Sequence, residues 1–147
     1  MVYLDSSAIV KRYVLESGSQ IVKGVYERAL NGEVKISFSL WNIGEVLGVF
    51  DKYLKRKWLS EDDYKIARLQ FISETIRLAK LNILKIIPVR TKLLISSWKL
   101  IEKYHIYEAD ALQIVSAKYV NADQFMTGDK QLYEIALKEE LKGIHVK

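Results

Sequence analysis

Residues 1–13 have the sequence MVYLDSSAIVKRY, in which a short apolar run ends at Asp5 and a helical pattern follows at once. Short apolar runs then alternate with longer amphipathic stretches along the rest of the chain. Strands that alternate with helices predict a parallel sheet covered by helices on both faces. The expected fold class is therefore α/β, with three α/β/α layers around a central parallel sheet.

The apolar and amphipathic runs set the expected boundaries of these elements. After the strand at 1–4, strands are predicted at 34–38, 83–89, 124–127 and 143–146. After the turn-like start SSAIVKRY, helices are predicted at 17–30, 40–57, 61–81, 92–104, 109–119 and 130–138. Ser60 followed by three acidic residues is typical of a helix start, because it combines a cap with negative charge in the first turn. No linker, repeat or low-complexity run interrupts the sequence, which predicts a single domain over 1–147.

Composition limits the classes of function. The chain has 147 residues, half of them hydrophobic and 28% charged, as in globular proteins. It contains no cysteine, which excludes a disulfide framework and a thiolate zinc site. No signal peptide or membrane span is apparent, and a cytoplasmic location is expected. The net charge of +5 favours a polyanionic partner but does not identify one.

Two aspartates are expected at one edge of the sheet. Ligands of open parallel sheets bind beyond the carboxyl ends of the strands. Asp5 directly follows the first predicted strand, and Asp129 follows the fourth across a glycine. Each also suits the cap of the next helix, and the residues alone leave both interpretations open.

Two further acids are less clearly marked. Asp110 begins a predicted helix, where a negative charge is favourable with or without a function. Glu45 lies off the apolar face that Leu40, Leu47 and Leu54 predict for its helix. Periodicity alone does not distinguish it from a solvated glutamate.

Four stretches in order resemble the PIN-domain family, and in particular its VapC-type toxins. They are LDSSAIVKRYVLESGS (4–19), SLWNIGEVLGVF (39–50), EADALQIVSA (108–117) and FMTGDKQL (125–132). The stretch IIPVRTKLL (86–94) fits the third strand and next helix of the family. The resemblance covers nearly the whole chain. It implies an acidic site with hydroxyl groups beside it, formed by Asp5, Glu45, Asp110 and Asp129 with Ser6 and Thr127.

Such a set of carboxylates implies a metal. Hard oxygen ligands without histidine or cysteine suit Mg²⁺ or Mn²⁺ rather than zinc. Two carboxylates about 4 Å apart repel by roughly 4 kcal/mol at an effective dielectric of 20, so a cluster of four needs cations or protons. We expect Asp5, Asp110 and Asp129 to hold the principal ion. Glu45 is expected to bind a second ion or to orient the attacking water.

The resemblance implies a function. The expected protein is a metal-dependent endoribonuclease, the toxin of a VapBC-type toxin–antitoxin pair, with RNA as substrate, a protein antitoxin as partner and a homodimeric state. A PIN nuclease of RNA processing without an antitoxin, and an RNA-binding module with little catalysis, remain as alternatives. A phosphatase of the haloacid-dehalogenase type needs an acid where Ser7 stands, and a receiver domain needs two adjacent acids.

The basic surplus includes candidates for contacts with RNA phosphates. Lys11 and Arg12 follow the Asp5 motif, and Lys52 and Arg56 lie toward the end of the Glu45 helix. A solvated surface explains the second pair equally well.

Other side chains of interest have competing interpretations. The three tryptophans suit base stacking, but aromatic residues at helical spacing more often belong to a core or an interface. Glu108 is expected to be an exposed charge rather than an outer acid of the site. His105 and His145 have no partner histidine at ligand spacing and are expected to be structural.

Overall fold

The computed structural model describes residues 1–147 and contains five strands and seven helices. The strands are β1 (Val2–Leu4), β2 (Ile36–Ser39), β3 (Leu84–Ile87), β4 (Gln124–Thr127) and β5 (Lys142–His145). The helices are α1 (Ser6–Tyr13), α2 (Ser19–Leu30), α3 (Leu40–Lys55), α4 (Glu61–Lys80), α5 (Thr91–Tyr104), α6 (Glu108–Tyr119) and α7 (Lys130–Lys138). No helix is both long enough and apolar enough to cross a lipid bilayer.

All five strands form one parallel sheet in the order β3-β2-β1-β4-β5. The first strand of the chain is therefore the central one. Tyr3 is in register with Ser37 on one side and with Phe125 on the other. All carboxyl ends consequently lie at one edge, and the residues that follow β1 and β4 are neighbours there.

Helices cover both faces of the sheet. Val2 and Leu4 point into a core shared with α1 to α4, whereas Tyr3 points into a second core shared with α5 to α7. This alternation is what a strand buried on both faces requires, since successive side chains point to opposite sides. The prediction of three α/β/α layers around a parallel sheet is confirmed.

The third helix differs from its prediction in two ways. It ends at Lys55 rather than at 57, and Lys57 adopts a left-handed conformation with φ of 59°. Its buried face contains Asn42, Val46 and Phe50, whereas Leu40 is exposed. The buried face is therefore rotated relative to the predicted apolar face, because Asn42 and Val46 face the interior and Leu40 does not.

Candidate active site

Four acidic side chains line one cleft of about 360 Å³ at the carboxyl edge of the sheet. Three structural relationships bring them together. Asp5 follows the central strand β1, and Asp129 follows its neighbour β4. Glu45 lies on α3, which follows β2 on the other side of β1, and Asp110 lies in the first turn of α6. The four acids expected to form the site thus surround a common space.

Asp5 is the buried member of the set, with 5% of its surface exposed. Its Oδ1 accepts hydrogen bonds from the Ala8 amide at 2.9 Å and from Ser7 Oγ at 2.7 Å, and its Oδ2 accepts one from Thr127 Oγ1 at 2.6 Å. The pKa of Asp5 is raised to about 6. Burial is the main cause and the charge of Asp129 adds to it, whereas these hydrogen bonds oppose the shift. Asp5 is therefore both the cap of α1 and a member of the site.

Ser7 joins the ends of β1 and β4. Its hydroxyl accepts a hydrogen bond from the Gly128 amide at 2.7 Å while it donates to Asp5. A Cβ atom at position 128 would lie only 3.3 Å from Ser7 Oγ and from the Val146 carbonyl oxygen. The glycine between Thr127 and Asp129 therefore permits the close approach of the two strand ends.

The Glu45 carboxylate is held by Ser6. Ser6 Oγ donates to Glu45 Oε1 at 2.7 Å and accepts from Asn42 Nδ2 at 2.8 Å. Glu45 is half-buried, and its second carboxylate oxygen accepts no hydrogen bond from the chain. One oxygen is thus fixed and the other is free to bind a ligand.

Asp110 is half-buried in the cleft, and Asp129 is exposed at it. Burial raises the pKa of Asp110, and the nearby charges of Asp129 and Glu45 raise it further, with no hydrogen bond to oppose them. Asp129 is exposed and caps α7, since its Oδ1 accepts from the Leu132 amide at 3.0 Å. Asp129 therefore caps α7 and also lines the cleft, and its role in a metal site stays a prediction.

The donor set fits a hard divalent cation. It consists of carboxylate and hydroxyl oxygens, without sulfur, and the Asp110 carboxylate has no partner in the chain. No three acidic or imidazole groups converge on a single point as the side chains are placed. Mutual repulsion keeps uncompensated carboxylates apart, so a bound cation would have to draw them together.

The first pair of expected RNA contacts is engaged within the chain. Lys11 Nζ donates to the Ser17 carbonyl at 2.7 Å and pairs with Glu16 at 3.3 Å. Arg12 donates two hydrogen bonds of 3.0 Å to the carboxylate of Glu74. Both cations connect elements of the first helical layer, and RNA binding through them stays an untested prediction.

Only one residue of the second pair borders the cleft. Lys52 is exposed and lines the cleft, two turns after Glu45 on α3. The Arg56 guanidinium lies over the ring of Trp58, 5.0 Å from its centroid. The tryptophans are at the surface rather than in a core, with Trp41, Trp58 and Trp98 exposed by 46%, 63% and 56%.

Glu108 and His145 lie beside the site but do not line it. Glu108, expected as an exposed charge, is half-buried and accepts a hydrogen bond from Ser97 Oγ at 2.5 Å. His145 stacks on Tyr133 with ring centroids 5.5 Å apart, and its Nε2 lies 3.2 Å from the Gly128 carbonyl oxygen. The structural role expected for His145 agrees with these contacts.

Sequence reasoning missed three polar residues that support the carboxylates. They are Ser7, Asn42 and Gln113, the last two fully or almost fully buried. Asn42 completes a capping box with Ser39 at the start of α3, and this spacing was visible in the sequence. Gln113 lies one turn after Asp110, which places both on neighbouring positions of α6.

The model of the PIN domain family matches residues 2–138. The chain belongs to the PIN domain family. Its fold is similar to that of VapC20 from Mycobacterium tuberculosis, a toxin that cleaves the sarcin–ricin loop, with a TM-score of 0.66, 12% identity and coverage of 92% of this chain and 95% of that one. No curated protein sequence matches the chain.

Two other solved structures share the fold of this PIN domain. FitAcB from Neisseria gonorrhoeae has a TM-score of 0.63 and 14% identity, with coverage of 99% of this chain and 97% of that one. VapBC2 from Rickettsia felis, solved bound to a DNA fragment from its promoter, has a TM-score of 0.60 and 19% identity, with complete coverage of both chains. These likenesses extend over whole chains and concern the fold.

Proposed function

We propose that this PIN domain is a metal-dependent endoribonuclease that hydrolyses RNA phosphodiester bonds. The observation that carries the proposal is the shared cleft of Asp5, Glu45, Asp110 and Asp129, in which burial and then the charges of the neighbouring acids raise the pKa of Asp110. Clustered carboxylates of this kind favour a bound cation. The whole-chain family match and the likeness to a toxin that cleaves RNA support the same chemistry.

The residues that line the cleft have different proposed roles. Asp5, Asp110 and Asp129 hold Mg²⁺ or Mn²⁺, and Glu45 binds a second ion or orients the attacking water through its free carboxylate oxygen. A divalent ion bound there supplies polarisation of the phosphate and of its water. Ser7 and Thr127 fix Asp5 by hydrogen bonds to both of its oxygens.

Lys52 offsets the negative charge of the cleft for a polyanionic substrate. It lies on the same helix as Glu45 and lines the cleft from the exposed side. A phosphate that approaches the carboxylates meets this ammonium group first, which favours association at low salt. Arg56 caps the end of α3 four residues after Lys52 and lies over Trp58, outside the lining of the cleft.

The biological role proposed is that of the toxin of a VapBC-type pair, with a protein antitoxin as partner and a homodimeric state. The structural likeness to VapC20 and VapBC2 supports this role. A PIN nuclease of RNA processing shares the same chemistry but has no antitoxin. Co-purification with the product of an adjacent gene distinguishes the two.

Cleavage of labelled single-stranded RNAs with Mg²⁺, Mn²⁺ or EDTA tests the proposal. We expect cuts that need the metal and that are lost in Asp5→Asn and Asp110→Asn. Asp62→Asn is the matched control, because Asp62 is exposed in the first turn of α4 and outside the cleft. Cleavage that persists in both site variants would indicate a contaminating nuclease, and wild-type protein that binds RNA without cutting it would favour an RNA-binding module.

A further inference from the structure

Three buried polar side chains form a cluster beneath the carboxylates. They are Tyr3 on β1, Asn42 on α3 and Gln113 on α6, with exposed fractions of 0%, 0% and 2%. Tyr3 belongs to the second core, and all three side chains are buried, where a polar group is costly unless its hydrogen bonds are complete. Each of the three is hydrogen-bonded to the other two.

Backbone contacts fix the orientation of both amides. Asn42 Oδ1 accepts a hydrogen bond from the Ser39 amide at 2.7 Å, which turns its Nδ2 toward the site. Gln113 Nε2 donates to the Ala109 carbonyl at 3.3 Å, which turns its Oε1 toward Tyr3 and Asn42. Gln113 Oε1 then accepts from the Tyr3 hydroxyl at 2.6 Å and from Asn42 Nδ2 at 2.8 Å.

The cluster ends on Glu45. Asn42 Nδ2 also donates to Ser6 Oγ at 2.8 Å, so the single proton of Ser6 is directed at Glu45 Oε1, 2.7 Å away. Donation therefore runs from Asn42 through Ser6 to the Glu45 carboxylate, while Gln113 Oε1 accepts from both Tyr3 and Asn42 and holds the Asn42 amide in place.

The cluster also joins the two helices that bear acids of the site. Asn42 lies one turn before Glu45 on α3, and Gln113 lies one turn after Asp110 on α6. A hydrogen bond between the two amides therefore sets how far apart these helix ends stand. An apolar core of the same volume would fill this space without fixing that separation or the Glu45 rotamer.

We propose that Asn42 and Gln113 are positioning residues that set the Glu45 carboxylate, through Ser6, relative to Asp110. The inference rests on the proposed function of the site. It assigns to buried amides the role that outer-shell hydrogen bonds have in metal sites, where they orient the ligands.

The test measures cleavage rates and Mn²⁺ affinity for Gln113→Leu, which keeps the volume and removes the hydrogen bonds. We expect kcat to fall by about 10- to 100-fold and the Kd for Mn²⁺, measured by calorimetry, to rise by a similar factor. The KM for RNA should stay within about twofold, because Gln113, although it contributes to the wall of the cleft, is only 2% exposed. Thr75→Val is the matched control, since Thr75 is buried on α4 outside the cluster and should leave all three quantities unchanged.

A double-variant cycle separates positioning from packing. In a Ser6→Ala background the path from Gln113 to Glu45 is already cut, so adding Gln113→Leu should lower kcat by no more than about twofold. If the reduction in kcat of the double variant equals the product of the two single reductions, the inference is overturned. A Gln113→Leu protein with wild-type kcat and Mn²⁺ affinity would also overturn it. Tyr3→Phe removes a single oxygen from the cluster and gives a variant that keeps the fold, with a smaller loss of kcat in the same direction.

The two proposals fail in different ways. Wild-type protein that binds Mn²⁺ but cuts no RNA would contradict the nuclease, while the shift in Mn²⁺ affinity of Gln113→Leu would still decide the positioning role. Wild-type protein that cuts RNA, together with a Gln113→Leu variant unchanged in kcat and Mn²⁺ affinity, would contradict the positioning role alone.

Discussion

The Thr127 hydroxyl donates a 2.6 Å hydrogen bond to Asp5 Oδ2 across 122 positions of sequence. Both residues are buried, and the bond connects the ends of two adjacent parallel strands. It supplies an uncharged donor to a carboxylate that burial would otherwise protonate near neutral pH.

Thr127→Val should remove this hydrogen bond while keeping a branched side chain that suits the strand. We expect the free energy of unfolding to fall by about 1–3 kcal/mol, because a buried acceptor loses a partner. RNA cleavage should fall by about 10- to 100-fold, because Asp5 Oδ2 loses the hydrogen bond that orients it. Thermal melting and initial cleavage rates measure the two effects, with Thr75→Val as the same substitution at a buried threonine on α4. Equal effects in both variants would show that Thr127 has no special role.

The stability of the metal-free protein should depend on Asp5. Its pKa is raised from 3.8 to about 6 in the folded state, so the folded protein binds a proton more tightly than the unfolded chain. Its contribution to stability is therefore complete below about pH 4 and is lost as the pH rises through about 6. In EDTA we expect the Tm of the wild type to fall between pH 5 and pH 7, and this fall to be smaller in Asp5→Asn.

Mn²⁺ should reverse that loss, because a cation bound only by the folded state adds to its stability. Melting curves with Mn²⁺ or EDTA at pH 7 would show a higher Tm with the metal for the wild type. Asp5→Asn should show a smaller shift. An equal Mn²⁺ shift in both proteins would place the metal elsewhere.

Glu139 should contribute to stability with the opposite dependence on pH. Although partial burial raises its pKa, hydrogen bonds from Lys118 at 2.7 Å, Tyr104 at 2.5 Å and Lys103 at 3.3 Å lower it from 4.5 to about 2. Its contribution is present above about pH 4.5 and is lost as the pH falls through about 2. Glu139→Gln should therefore cost about 2 kcal/mol at pH 7, and less at pH 3.

Denaturant unfolding at the two pH values measures this difference. Glu134→Gln is the control, because Glu134 is exposed on α7 and has no ion pair. A loss of stability in Glu139→Gln that stays constant with pH would mean that packing, rather than charge, makes Glu139 important.

Two helical glycines offer a test of how the substrate approaches. Gly24 on α2 and Gly48 on α3 have no heavy atom within 4 Å of the place where a Cβ would lie, and only Gly48 lines the cleft. Alanine at either position should raise the free energy of unfolding by about 0.5–1 kcal/mol. Leucine at position 48 should nevertheless slow RNA cleavage by about tenfold or more, since it fills the space beside Glu45.

Gly24→Leu is the matched control and should cleave at the wild-type rate. Cleavage by Gly48→Leu at the wild-type rate would contradict an approach of RNA over this part of α3. A Gly48→Leu protein that is less stable than the wild type would point to a crowded surface at this position instead.

The sheet and the two aspartates at its edge were predictable from the sequence. Strands and helices have different periodicities, which gives the elements of the fold. Asp5 and Asp129 each follow a strand, and the carboxyl ends of parallel strands lie at the same edge of a sheet. Glu45 lacked such a signal and was placed by resemblance to the family. What distinguishes Glu45 in the structure is its hydrogen bond from Ser6, which joins side chains 39 positions apart.

Contacts over long sequence distances could not be read in this way. The amides of Asn42 and Gln113 are 71 positions apart, and each alone resembles a surface residue. Arg12 looked available for RNA, but Glu74, 62 positions away, binds it with two hydrogen bonds. Patterns in sequence give the face of a helix, whereas pairing of polar groups is decided only when the helices meet.

The central place of β1 in the sheet has a consequence for how the protein is made. β1 is synthesised before β4 and must wait for it before it has a neighbour on its second side. Until residues 127–129 have also emerged, Asp5 lacks the hydroxyl that holds it and the cleft lacks its fourth carboxylate. A growing chain therefore has an incomplete cleft until these residues emerge, and we expect the proposed ribonuclease to acquire its activity only late in its own translation.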